Sequence, residues 1–533
     1  MIRNPVLPGF NADPSFLRVG EDYYLATSTF EWFPGVQIHH SRDLVNWRLV
    51  ARPLNRPALL DMRGNPDSCG IWAPCLSHDG DRFWLVYTDV KRLDGAFKDA
   101  PNYITCCDTV EGEWSDPWYV NSSGFDPSLF HDEDGRKWFV NMQWNHRGRG
   151  TGGNPVNASF DGILLQEWSP EAGLTGPVTQ IYDGTERGLT EAPHLFKRDG
   201  WYYLTVAEGG TGYEHAVTMA RSRDIVGPYE THPALHVISA KGSDGPVQRA
   251  GHGQYVETHW GRHYHSFLMG RPIPGPDGTG RFCPLGREAG LEEVVWRDGW
   301  LWLAEGGMVP RAEVPSPTAV EPAPPRAIHR DLGATLPEEF QWLRTPEPDR
   351  IFRMDPDALV LIGRESIGSW FEQALVARKQ EHLSYTAETQ VDIAPTTYQQ
   401  AAGLTTYYNR HKFHAALVSH EPGIGRALVL MSCPGDWPDC ALSWPCSPVP
   451  LADGPVALRV VVSGATQQFW WRHAGDWQPL GPVLDASVIS DEGGRGEHAS
   501  FTGAFVGMVA FDLTGQGNEA RFDRFSYVPD GAV

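Results

Sequence analysis

Over roughly the first 300 residues the apolar positions follow one recurring plan. A small or acidic residue, most often followed by proline, opens a short apolar run. A polar turn comes next, and then an aromatic-rich stretch in which apolar and polar positions alternate. Asp13-Pro14-Ser15-Phe16-Leu17 leads through Gly20-Glu21-Asp22 to Tyr23-Tyr24-Leu25-Ala26. Ala73-Pro74-Cys75-Leu76 leads to Phe83-Trp84-Leu85-Val86-Tyr87, and Asp126-Pro127-Ser128-Leu129-Phe130 to Trp138-Phe139-Val140. Ala192-Pro193-His194-Leu195 precedes Trp201-Tyr202-Tyr203-Leu204, and a more divergent His252-Gly253-Gln254-Tyr255 precedes Tyr264-His265-Ser266-Phe267. Each copy predicts a β-hairpin, and starts roughly 50 to 65 residues apart leave room for four strands. Outer-strand signals recur between the copies, as in Ser41-Arg42-Asp43-Leu44-Val45 and its echo Ser222-Arg223-Asp224-Ile225-Val226. The expectation is a five-bladed β-propeller.

That register places chemistry. The innermost strands of a propeller run side by side along a central channel, so equivalent positions form a ring at one mouth. The residues at or just before the repeat starts are Asp13, Trp72-Ala73, Asp126, Glu191-Ala192 and His252. Three carboxylates, an indole and an imidazole should therefore meet in one funnel. Singly each is weak: Asp-Pro commonly opens a turn, Glu191 reads as well as a surface residue, and His252 as a hydrogen-bonded channel residue. Together they suit glycosidic bond cleavage, in which two carboxyl groups act as acid and base. Opposite positions around a channel suit the wider separation, about 6.5 to 9.5 Å, that admits a nucleophilic water and inverts the anomeric centre. A third carboxylate raises the acid's pKa by like-charge repulsion.

The repeat ends near residue 310. The Pro-rich stretch 311–329, with Val314-Pro315-Ser316-Pro317 and Pro322-Ala323-Pro324-Pro325, reads as a semi-rigid linker. Alternating segments without the repeat then run from 330 to 533 and predict a β-sandwich. The whole is an all-β chain of two domains, with no long helical pattern.

Composition fits this picture and removes some functions. With 57 Gly and 43 Pro the chain is rich in turns. Its 66 acidic residues against 44 basic ones give a net charge of −22, which repels nucleic acid and anionic membrane surfaces but leaves a neutral sugar unaffected. The N-terminal stretch Met1-Ile2-Arg3-Asn4-Pro5 has no signal-peptide character. The cysteines lack the close paired spacing of a zinc site. Both point to a cytoplasmic protein with reduced thiols.

The motifs also resemble a known family. Gly9-Phe10-Asn11-Ala12-Asp13-Pro14, Gly70-Ile71-Trp72-Ala73-Pro74, Ser123-Gly124-Phe125-Asp126-Pro127 and Gly188-Leu189-Thr190-Glu191-Ala192-Pro193 are similar to glycoside hydrolase family 43, in its two-domain β-xylosidase branch. So are Glu208-Gly209-Gly210-Thr211-Gly212-Tyr213, Leu285-Gly286-Arg287-Glu288 and, in the second domain, Phe501-Thr502-Gly503-Ala504-Phe505. The resemblance implies an exo-acting enzyme that releases xylose from xylo-oligosaccharides. In it Asp13 is the general base and Glu191 the general acid, while Asp126 orients Glu191 and tunes its pKa. It further implies that Arg287, His252 and Thr211 contact the terminal sugar. Phe30, Trp72 and Trp144 wall it, and a sandwich residue, Phe505 or Phe501, closes the pocket. It implies a dimer or tetramer. Cys69 and Cys75 depart from the pattern and are expected near the pocket entrance.

Rival readings are an α-L-arabinofuranosidase or a bifunctional enzyme, an endo-arabinanase, a retaining propeller hydrolase and a non-catalytic sugar-binding propeller. No cofactor is required by these readings. A Ca²⁺ ion in the channel near His252 stays open, although one imidazole is a poor calcium ligand.

Overall fold

The structure is a computed structural model that describes residues 1–148, 159–435, 439–494 and 500–532. Its regular structure is almost all strand, joined among the described residues by one 3₁₀ turn at Pro348–Arg350. No described helix is long and apolar enough to cross a membrane.

The repeats fold as five antiparallel sheets, the blades of a β-propeller. Their innermost strands begin at Ser15–Val19, Gly70–His78, Ser128–His131, Glu191–Arg198 and Gln248–Gly251. In the fifth blade the inner edge is split, and Gln248–Gly251 and Tyr255–Glu257 both pair with His263–Gly270. This is why the fifth copy looked divergent. The repeat is also conformational: Asp13, Ala73, Asp126, Ala192 and His252 all have positive φ, at 56°, 33°, 54°, 52° and 46°. Four of these precede proline, which disfavours the right-handed helical region. A non-glycine residue held left-handed costs roughly 1–2 kcal/mol, so each blade start stores strain that the surrounding packing must offset.

The ring closes without a covalent link. Ile2–Arg3 pairs with Glu313–Val314, and the Asn4 side chain donates to Leu291 O and Arg311 O, both at 2.8 Å. Between first and last blades, Phe16, Tyr23 and Leu25 pack with Val256, Tyr264 and Leu291. The segment expected as a linker is thus shared out. Glu313–Val314 closes the ring, and Ile328–Asp331 is already a strand of the second domain. Between them the chain is strapped to the propeller: Tyr264 donates to Pro315 O at 2.8 Å, and Ala323 N–H to the Asn46 side chain at 2.8 Å.

The second domain is a β-sandwich of two eight-stranded sheets, one of them completed by a strand of the propeller. One sheet does not end at the domain boundary. Its edge strand Gln341–Leu343 pairs with Trp32–Phe33 of the propeller's first blade, Leu343 opposite Trp32 and Trp342 opposite Phe33. Fully buried polar groups cross the same seam. Arg344 pairs with Asp67 at 2.7 Å, and Lys379 donates to Asn11 Oδ1 at 2.7 Å and Gln37 Oε1 at 2.9 Å.

Candidate active site

Two adjacent positions of each blade start carry the site. The left-handed position supplies Asp13, Asp126 and His252; the residue before it supplies Trp72, Phe125 and Glu191. Because successive residues point to opposite sides of the chain, the two sets reach the channel mouth by different routes. They meet on one cavity of about 300 Å³, lined by Asp13, Asp126, Glu191, Trp72, His252 and Arg287 together with Phe30, Thr211 and Phe501. That size is at the small end of ligand pockets. All three carboxylates are buried.

The three carboxyl groups are not alike. Asp13 accepts a hydrogen bond from Ser28 Oγ at 2.6 Å and from Arg287 Nη1 at 3.1 Å, and His252 Nδ1 lies 3.6 Å away. Burial alone would raise its pKa. The positive charge of Arg287, helped by the neighbouring His252 imidazole and the Ser28 hydrogen bond, outweighs burial and holds Asp13 below its ordinary value. Asp13 is therefore the ionised member. Glu191 is pushed up to about 8 by burial and then by the charge of Asp13. Among the described residues no protein group hydrogen-bonds its carboxyl, so its proton is presented to the cavity. Asp126 is raised by burial and then by the charges of Glu191 and Asp13, while the nearby Ala192 backbone N–H pulls it the other way. Asp126 thus lies against the residue next to Glu191.

Arg287 ties the site together. Its Nη1 serves Asp13, its Nη2 donates to Phe501 O at 3.1 Å, and its guanidinium lies 5.3 and 5.5 Å from the Phe30 and Phe501 ring centres. Phe501 comes from the sandwich, on the chain between strands Gln478–Asp485 and Phe505–Asp512. Its ring centre is 5.7 Å from Trp72 and 6.2 Å from Phe30. Gly286 permits this approach, since a Cβ there would sit 1.9 Å from Thr502 O.

Some expected residues lie elsewhere. Phe505 is not a pocket wall: it stacks face to face on Trp32 at 3.6 Å, inside the seam, and Phe501 takes the wall position. Trp144 is one layer back, packed edge-on against Phe160 at 5.4 Å and tilted against Phe125 at 6.3 Å, with Lys98 4.4 Å above its ring. Cys69 and Cys75 are buried behind the walls rather than at the entrance. Conversely, Leu93, Lys98, Phe125, Phe160 and Leu189 line the cavity without having been singled out. Phe125 was readable, because it shares the register of Trp72 and Glu191. Lys98 was not; it sits on a non-repeating loop, its ammonium donating to Leu93 O at 2.6 Å.

Around and behind His252 the site gathers His194, His215 and His265, and all four imidazoles are buried. Burial pushes His194 and His215 down to about 3, and His252 and His265 to about 4, so they are neutral imidazoles. Among the described residues no group of three or more His, Cys, Asp or Glu could hold a metal ion. Calcium takes six to eight oxygen ligands, and this nitrogen-rich lining does not fit it.

Two family models cover the chain. Residues 2–301 match "Glycosyl hydrolases family 43", and residues 333–528 match "Beta xylosidase C-terminal Concanavalin A-like domain". The chain is 56% identical to a xylosidase/arabinosidase 43B of Humicola insolens, over 99% of this chain and 98% of that one. It is 45% identical to a β-xylosidase of Bacillus subtilis, over 99% of both. The crystal structure of a xylan β-1,4-xylosidase from Bacillus halodurans superposes with a TM-score of 0.93 at 45% identity, covering 99% of this chain and 100% of that one.

Proposed function

The chain belongs to glycosyl hydrolases family 43 and is a glycoside hydrolase; on that premise we propose that it is an exo-acting, inverting 1,4-β-xylosidase, releasing xylose from the non-reducing ends of xylo-oligosaccharides. The observation that carries this reading is the division of labour among three buried carboxyl groups on one small cavity. One is held ionised by Arg287, and one is held protonated near neutrality.

Asp13 takes a proton from the attacking water as that water's oxygen bonds to the anomeric carbon. Glu191 gives its proton to the glycosidic oxygen as the bond to the leaving sugar breaks, so the leaving group departs as an alcohol. Asp126, beside the Ala192 N–H, positions the start of the Glu191 strand. Arg287 holds Asp13 in place and neutralises part of the site's charge. Phe30, Trp72 and Phe501 shield the reaction from bulk water, and a cavity walled on the sandwich side suits a chain end better than a chain interior.

The test is a substrate panel with proton NMR of the first-formed product. Xylobiose should give α-xylose first, and polymeric xylan should be cut from its ends. β-xylose appearing first would overturn inversion. A second reading, α-L-arabinofuranosidase side activity, is favoured by the relative named a xylosidase/arabinosidase. Comparing the two nitrophenyl glycosides measures it.

A further inference from the structure

Phe501 is held in place from a distance, and one side chain stands at the centre of that hold. Arg249 lies on the fifth blade's inner strand Gln248–Gly251, at a left-handed φ of 56°. Its Nε donates to the carbonyl of the cavity residue Thr211 at 2.9 Å. Its Nη1 pairs with two sandwich carboxylates, Asp491 Oδ2 and Glu492 Oε1, both at 2.9 Å. The Arg249 and Asp491 side chains are only 6% and 4% exposed. Glu492 also accepts the Cys283 N–H at 2.7 Å, from the stretch leading to Arg287.

The chain of contacts then runs straight to the wall. Asp491 Oδ1 accepts from Tyr408 Oη at 2.7 Å, and the Tyr408 hydroxyl oxygen in turn accepts the Thr502 N–H at 3.1 Å, one residue from Phe501. Lys412 donates to Ser490 O and to Ser500 Oγ, both at 2.8 Å, beside Asp491 and Phe501 respectively. A guanidinium is suited to this task because its donors are fixed in one plane. Arg249 touches neither the reacting carboxylates nor the cavity, so it acts through others.

We propose that Arg249 is a positioning residue that couples the propeller's Thr211 wall to the sandwich's Phe501 wall, and so sets how tightly the pocket grips the terminal pentose. Opening this latch loosens both walls at once. It leaves the acid and the base where they are. The cost therefore falls on sugar binding and not on proton transfer.

The inference rests on the pentosidase reading, and two measurements keep them apart. Release of xylose from xylobiose by the wild type tests the reading. Calorimetric titration with xylose and L-arabinose tests the latch without any turnover. Arg249→Met should weaken pentose binding about tenfold and raise KM in parallel, with both limbs of the pH–kcat/KM profile unmoved. Arg249→Lys should recover part of the loss. Phe501→Ala should weaken binding similarly, and the double variant should be no worse than Phe501→Ala alone, because contacts in one network are not additive. Should Arg249→Met fail to fold, Asp491→Asn opens the same pair from the sandwich side and must raise the pentose Kd. Unchanged pentose binding in a folded variant, or full additivity in the double variant, overturns the proposal.

Discussion

The two faces of the pocket are built on opposite principles. On the propeller side, Asp13, Asp126 and His252 occupy the strained left-handed position of a unit repeated five times, and Trp72 and Glu191 the position just before it. On the sandwich side, Phe501 sits on a single non-repeating segment, fixed by contacts such as its N–H to Ser68 Oγ, 433 residues away in sequence. Reacting groups are placed by local geometry, whereas closure is placed by long-range docking. The first should be insensitive to how the domains meet; the second should depend on it wholly.

The sharpest way to break that contrast is to remove the reacting groups. Glu191→Ala and Asp13→Ala should each lower kcat by about 10²–10⁴. The Glu191 variant should recover most on nitrophenyl xyloside, whose leaving group needs no proton. If both variants kept wild-type rates on xylobiose, the propeller side would not hold the chemistry.

A smaller effect is expected from the opposite wall. Phe501→Ala should raise KM by about tenfold while changing kcat far less, as for a side chain that binds but does not react. A fall in kcat as large as that of Glu191→Ala would erase the distinction between the two faces.

Alkaline pH probes the buried proton directly. With Glu191 held near 8, kcat/KM should fall above about pH 8, and with Asp13 below its ordinary value activity should persist to the acid side of the usual carboxylate range. The sign for stability follows. The folded pKa lies above the ordinary 4.5, so stabilisation present below 4.5 erodes as pH rises towards 8. Glu191→Gln lacks this erosion, so its melting temperature should gain on the wild type between about pH 5 and pH 8.5. An equal gap at both ends would mean that Glu191 is not held protonated.

The smallest effect concerns the scaffold. Ala73 stands at a left-handed blade start with φ of 33° and does not line the cavity. Ala73→Gly should relieve about 1 kcal/mol of strain, measurable by denaturant melting, with kcat unchanged. Destabilisation would show that packing on the Ala73 methyl outweighs the strain.

The same contrast explains what could be read from the sequence. Each blade writes its own alternation and four of the five write a proline after the blade start, so the copies together disclose the ring and the convergence of Asp13, Asp126 and Glu191. Phe501 and Phe505 belong to one short motif, and nothing local distinguishes the one that faces a cavity from the one that stacks on Trp32. Trp144 failed for a related reason. It packs against Phe125 and Phe160, and those two rings line the cavity in its place. The Arg249 contacts to the sandwich join residues over 240 positions apart and leave no mark on any segment.

The strand Trp32–Phe33 gives the architecture an engineering limit. A gene cut in the proline-rich stretch after residue 310 would release a catalytic ring whose own backbone donors and acceptors, together with the broad face of Trp32, had lost their cover. Such a fragment should be sticky and should lack half of its sugar grip. Grafting the sandwich of one relative onto the ring of another will succeed only when the short insert around Phe30 to Gly35 travels with it.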